Sequence, residues 1–329
     1  MKLKSFLNIR LDALLCALLA MFCAVTANAQ NTYPDRQIRF IVPYNAGGGT
    51  DVLARAVAAS VSKTLKQSVV VENKPGASGM IGADYVARAN PDGYTFVLTA
   101  SDTHTLNPHV YPKITYDAKK DFLPVVQIGY LPYALIINNN VKANNLKEFI
   151  ALAKKEPGKL TFASWGVGSS SQAAMESFKV KEKLDILHVP FTGAAPAVAA
   201  VLGGQVDSVF APLSLAVPNA QAGKVKILGL GAPKRFVTSQ DILTLKEQGV
   251  DVVTAPWIGI LAPAKTPQVA IDTVYQAVAA AAKDPQVQET LTKAGLEIDV
   301  LDPKQFAQFM DKDYEMWGAV VKAANIKAD

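Results

Sequence analysis

Short apolar runs and amphipathic stretches alternate along this chain from residue 38 almost to its end. Apolar runs predict strands at 38–43, 69–72, 94–99, 160–163, 186–189, 206–210, 225–230 and 257–262, and 125–138 reads as one long extended segment. Between them, the 3.6-residue period predicts helices. At 51–66 it places Val52, Leu53, Ala56, Val57, Val61 and Leu65 on one face. Further helices are expected at 79–89, 146–155 (closed by Pro157-Gly158), 169–181, 194–202, 213–222 and 239–248. The C-terminal part is helical, at 268–283, 286–293 and 304–324. Alternation with short turns argues for α/β architecture with mainly parallel sheets. No internal repeat or low-complexity tract interrupts it. Two extended segments, 125–137 and 252–261, are long enough to cross between lobes. They would place 30–130 with 255–329 in one lobe and 131–254 in the other, with a hinge that permits closure.

The first residues read as an export signal rather than as fold. Lys2, Lys4 and Arg10 form a basic start, 13–25 is a short apolar run, and Ala27-Asn28-Ala29 fits a cleavage site. A signal peptide over 1–29 is therefore expected, cleaved after Ala29, with a periplasmic product. Cys16 and Cys23 both lie inside it, so the mature chain would carry no disulfide, Cys–zinc site or Cys nucleophile. Ala20-Met21-Phe22 is a poor lipidation context for Cys23. Loss of Lys2, Lys4, Arg10 and Asp12 lowers the formal net charge from +5 to +3, with no basic block to suggest a nucleic-acid partner. About 300 mature residues exceed what one core usually holds, which favours two domains.

Candidate chemistry gathers where strands turn into helices. In Phe40-Ile-Val-Pro-Tyr-Asn-Ala-Gly-Gly-Gly-Thr-Asp51 a strand meets three glycines and then a helix start. Glycine lets the backbone approach a ligand, and the helix start offers unpaired N–H groups to an anion. The alternative is a tight turn capped by Thr50 or Asp51. Ser164-Trp-Gly-Val-Gly-Ser-Ser-Ser171 repeats the design, with Ser169 or Ser170 as the alternative helix cap. Phe191-Thr-Gly-Ala-Ala-Pro-Ala197 is a third such junction, and Thr99-Ala-Ser-Asp102 either adds hydroxyls or caps a helix. Catalytic patterns are missing: His104, His109 and His188 lack metal-ligand spacing, and Gly76-Ala-Ser-Gly79 is one residue short of a nucleophile elbow. No catalytic residue, metal or cofactor is expected.

Taken in order, these junctions resemble the periplasmic solute-binding proteins of tripartite tricarboxylate transporters, the Bug family. The resemblance rests on 41–51 with Ala54-Arg55, and on Val70-Val-Glu-Asn-Lys-Pro-Gly-Ala-Ser-Gly79 with Ile81-Gly82. It continues through Asn90-Pro-Asp-Gly-Tyr-Thr95, Pro157-Gly-Lys-Leu160, Val189-Pro-Phe-Thr-Gly193 with Ala195-Pro196, and Gly204-Gln-Val-Asp207. Pro256-Trp-Ile-Gly259, Ala262-Pro263, Thr266-Pro267 and the helix 317–326 close it. It implies a two-lobed α/β type II (Venus-flytrap) binding protein with two crossing segments. A small carboxylate would be held through the first and second loops, partly by water, and passed to membrane transporter subunits. The ligand-binding residues it implies are Tyr44, Ala46, Gly47, Gly48 and Asp51; Ser164, Gly166, Gly168, Ser169 and Ser170; and Thr192, Gly193 and Ala195. Ser101 and Asp207 are weaker transfers.

Two departures stand out. Gln172 and Ala173 replace a His and Leu carried by many relatives, and 238–249 replaces a proline-rich turn. No Arg or Lys lies inside the loops, so dipoles and water are expected to hold the anion. The ligand could be a di- or tricarboxylate, an acidic amino acid or an aromatic acid. Tyr44 and Trp165 could stack on a ring or simply pack between lobes. A monomer is expected. The alternative function is an exported enzyme acting on a small carboxylic acid.

Overall fold

The computed structural model describes residues 33–328. The expected signal peptide, its cleavage site and both cysteines lie outside the described residues. Eleven strands form two sheets among the described residues. The first contains β1 (Ile38–Val42), β2 (Val69–Asn73), β3 (Thr95–Ala100), β4 (Phe122–Tyr130), β10 (Trp257–Pro263) and β11 (Glu297–Leu301), in the order β11-β4-β10-β3-β1-β2. The second contains β5 (Tyr133–Asn138), β6 (Thr161–Ser164), β7 (Leu187–Pro190), β8 (Ser208–Pro212) and β9 (Val225–Leu230), in the order β7-β6-β8-β5-β9.

The sheets are mixed, not mainly parallel. Strand β1 runs parallel to β2 and β3, while β10 pairs antiparallel with both β3 and β4, and β11 pairs antiparallel with β4. In the second sheet, β6 is parallel to β7 and β8, and β5 is antiparallel to β8 and β9. The antiparallel pairs arise where the chain passes between sheets. The extended stretch 125–138 is two strands in two sheets, separated by Leu131-Pro132. There Leu131 N–H donates to the Pro256 carbonyl at 2.8 Å, tying the outward and return passages together.

Alternation along β5 explains how the second sheet is buried on both faces. Leu135 and Ile137 point to one side, against Phe149 of α4 (Leu146–Lys155) and Met175 and Phe178 of α5 (Ser170–Glu182). Ala134 and Ile136 point to the other, against Ala197, Val198 and Val201 of α6 (Ala194–Leu202) and Ala216 of α7 (Leu213–Gln221). Helix α1 (Gly49–Leu65) packs on β2, and α2 (Met80–Ala87) on β3; α8 (Gln268–Ala281) and α9 (Pro285–Lys293) follow later in the chain. The last helix, α10 (Pro303–Ala324), runs along β4 and also reaches α5. Its Trp317 and Val321 share an apolar cluster with Leu106, Val110 and Ala173, so residues flanking both sheets meet there.

Three stretches differ from the sequence expectation. Residues 239–248 form turns and one 3-10 turn, because Leu230 N–H donates to the Leu243 carbonyl and the Leu230 carbonyl accepts from Leu245 N–H, which tethers the segment to β9. Asp102–Leu106 is a wide π turn leading into the short α3 (Asn107–Val110). Strand β11 adds an edge to the first sheet.

Candidate functional site

The parallel strands of both sheets end in the junctions singled out above, and these ends approach one another. At the first, Asp51 in the opening turn of α1 folds back on the loop. Its Oδ2 accepts from Gly47 N at 2.8 Å and Arg55 Nε at 3.0 Å, and its Oδ1 accepts from Asn73 Nδ2 at 2.9 Å. Burial acts to raise its pKa, but the bonds from Arg55, Gly47 and Asn73 outweigh it and hold the carboxyl below its ordinary value. Gly47 has φ +78°, which a side chain would resist. Helix α1 is capped by Gly48 rather than by Thr50 or Asp51. Asp51 is thus a brace for the loop: its oxygens are taken by protein donors. Ala46 is exposed and Gly48 partly so.

At the second junction Ser169 is the cap of α5, accepting from Gln172 N at 3.3 Å and donating to the Gly166 carbonyl at 2.7 Å. Behind the loop lies a network with no counterpart in the sequence reading. Gln172 Oε1 accepts from Gly168 N at 2.7 Å, and its Nε2 faces His188 Nδ1 at 3.3 Å. His188 Nε2 lies 2.6 Å from Ser164 Oγ. An amide donor on Nδ1 leaves the proton on Nε2, so His188 donates to Ser164. Burial, with Lys179 nearby, pushes the His188 pKa down to about 4, which keeps the ring neutral. Ser164 is fully buried in this network.

The third junction adjoins the second. Phe191 N–H donates to the Ser164 carbonyl at 2.8 Å, and a Cβ on Gly166 would stand 3.8 Å from the Phe191 carbonyl. Gly193 caps α6, with Thr192 and Ala195 exposed at its start.

Side chains from the two sheets meet between these loops. Tyr44 Oη lies 3.4 Å from Thr99 Oγ1, and Thr99 is 2.9 Å from Thr103 Oγ1. From the other sheet, Tyr133 Oη lies 3.0 Å from Ser170 Oγ, and the Trp165 ring stands edge-on to Tyr133 at 5.3 Å. Asp102 lies near both tyrosines, with Ser170 as a hydrogen-bonding neighbour. Burial, outweighing Ser170 and reinforced by Asp313, raises the Asp102 pKa to about 6. The same acid helps push both tyrosines up. Gly168 also marks the approach: a Cβ there would lie 2.6 Å from Val110 Cγ1. Ser101 is buried, and its backbone bonds Trp257, His104 and Thr105.

One expected residue is elsewhere. Asp207 precedes β8 and accepts from Thr161 N and Oγ1, both at 2.8 Å. Thr161 begins β6 and Ser164 ends it, so parallel pairing puts Asp207 at the opposite end of the sheet from the second loop. Its carboxylate joins the two strand starts. Tyr133, Val110 and His188 were missed as contributors, although Asp102 stood in the quoted Thr99–Asp102 stretch. Among the described residues no cluster of His, Cys, Asp and Glu could hold a metal ion. What the arrangement offers is a set of helix starts, neutral hydroxyls and backbone N–H groups, with Arg55 tied to Asp51 and Asn73.

A family model described as "Tripartite tricarboxylate transporter family receptor" matches residues 53–326. The chain is 30% identical over 319 residues to Protein BugT of Bordetella pertussis, covering 95% of this chain and 98% of that one. Among solved structures it resembles Rpa4515 of R. palustris with adipate, at 31% identity and TM-score 0.78, over 90% of this chain and 100% of that one. It also resembles MatC from Rhodopseudomonas palustris with bound malate, at 32% identity and TM-score 0.73, over 88% and 100%.

Proposed function

We infer the function from one premise: the chain belongs to the tripartite tricarboxylate transporter receptor family. Members of this family are periplasmic receptors of transporters rather than enzymes. We propose that this chain captures one small carboxylate between its two sheets and delivers it to the membrane subunits of such a transporter. Residues 30–130 with 255–329 would form one lobe and 131–254 the other, acting as a monomer after cleavage behind Ala29. The observation that carries this reading is the meeting of Tyr44 and Asp102 from one sheet with Ser170 and Tyr133 from the other, beside three helix starts.

In this account Ala46, Thr192, Gly193 and Ala195 present backbone or hydroxyl donors to the anion, while Gly48 and Gly166, whose N–H groups donate to Asn45 and Ser164, let the backbone pass close to it. Asp51, Ser164, Ser169 and Gly168 shape the loops that do so. Adipate and malate in the two relatives support a carboxylate as the ligand class. Helix N-termini and hydroxyls suffice for such an anion without a cation. His104 and His188 are held neutral by burial, to about 3 and about 4, so neither is poised for acid–base work near neutral pH.

The test is a thermal-shift screen of residues 30–329 against small carboxylates, with each hit recovered after incubation. The proposal expects at least one stabilising acid, returned unchanged. No stabilisation by any acid, or turnover of the hit, would contradict it.

A further inference from the structure

The residues on either side of Asp102, Ser101 and Thr103, are buried, whereas Asp102 keeps an accessible edge. Its Oδ1 is nonetheless closed off from solvent and has no hydrogen-bond partner. The groups that face this carboxyl are Ser170 from the start of α5, the phenols of Tyr44 and Tyr133, and Asp313 from α10. None is a cation, and Asp313 carries the same charge. Asp313 is already engaged, accepting from Thr105 Oγ1 at 2.7 Å and Trp257 Nε1 at 3.0 Å.

A largely enclosed carboxylate with no counter-ion is costly, and a cation brought by the ligand to its accessible edge would relieve it. The neighbouring rings suit the same guest. Tyr44 and Tyr133 both lie near the acid, and Trp165 stands edge-on to Tyr133. Aromatic faces attract an ammonium, and a carboxylate beside them completes a cation-binding box. A plain dianion would instead be repelled by Asp102 at neutral pH.

We propose that Asp102 sets the ligand class: it receives the ammonium of an amino-substituted carboxylate whose carboxylate group is held by the glycine loops. This assignment rests on the carboxylate-capture reading above. It makes the preferred ligand a compound with separated negative and positive groups.

Calorimetric titration of residues 30–329 with matched pairs tests it. The pairs are glutamate with glutarate, aspartate with succinate, and 4-aminobutyrate with butyrate. In at least one pair the amino member should bind at least tenfold more tightly than its partner. Asp102→Asn should reduce that preference to threefold or less, while its melting temperature stays at or above the parent's. Equal or tighter binding of the plain acid in every pair overturns the assignment and leaves carboxylate capture standing. A tenfold preference that survives in Asp102→Asn also overturns it. Absence of binding by every member overturns the assignment, whereas carboxylate capture falls only if no acid of the wider screen stabilises the protein.

Discussion

Gly168 gives the sharpest test of the proposed closure, because its hydrogen side faces Val110, which follows β3 of the first sheet, whereas Gly168 follows β6 of the second. A Cβ placed there would stand 2.6 Å from Val110 Cγ1, well inside van der Waals contact. Val110 cannot easily retreat, being buried against Leu106, Ala173 and Trp317. Gly168→Ala therefore has two effects that separate by state. Gly168 has φ +76°, and an alanine held there costs about 1 kcal/mol in the open and closed forms alike. The overlap with Val110 costs about 1–3 kcal/mol and falls on the closed form. Affinity for the best carboxylate of the screen should drop about 5- to 100-fold, measured by calorimetry. The melting temperature should fall by about 2–4 °C for each kcal/mol lost. Adding Val110→Ala removes the overlapping methyls and should restore at least half of the lost binding energy. A variant that melts lower yet binds within twofold of the parent would refute closure of this face onto Gly168. Failure of Val110→Ala to rescue binding would refute it equally.

Ser169→Ala should cost about 1 kcal/mol of stability with affinity changed less than twofold, since its hydroxyl caps α5 and bonds Gly166; a fivefold affinity loss at unchanged melting temperature would make it a ligand contact instead. Asp51→Ala should cost about 2–4 kcal/mol by stranding Gly47 N–H, Arg55 and Asn73, and should weaken binding as the loop relaxes; denaturant melts and calorimetry check both. Burial raises Asp102 and Asp313 from 3.8 to about 6, so their contribution to stability is complete below about pH 4 and is lost as pH rises through about 6. Asp102→Asn should thus melt higher than the parent at pH 8, by up to about 3 kcal/mol, and no higher at pH 4. His104 has the opposite sign: burial lowers it from 6.5 to about 3, so its contribution is present above pH 6.5 and is lost as pH falls toward 3. Parent and variant must accordingly be compared at the same pH.

Local signals read well from sequence where chemistry along a few residues decides the outcome. Helix α4 begins and ends where expected because Asn145 accepts from Glu148 N and Pro157-Gly158 follows. Helix α6 is bounded by Gly193 and Gly203, again a local matter. Pairing direction was less accessible, because β4, β5 and β10 take theirs from the passages between sheets. Residues 239–248 have a helix-like pattern, yet their backbone is spent on β9.

The site divides along the same line. The glycine and hydroxyl junctions were visible, since strand, loop and helix start are contiguous in the chain. The Ser164–His188–Gln172 network was not, as it joins positions 24 and 16 residues apart through side chains alone. Asp207 was misplaced because its motif says nothing about which end of β8 it occupies. Gln172, marked as a departure near the pocket, accepts from Gly168 N–H and so helps build the second loop.

A crystal structure of residues 30–329 grown with the tightest-binding carboxylate of the screen tests the central claim most directly. The account predicts one ligand per chain, its carboxylate within hydrogen-bond distance of donors from both sheets, at 44–48 and at 164–170 or 192–195. An anion bound to one sheet alone, or seated away from these loops, would contradict it.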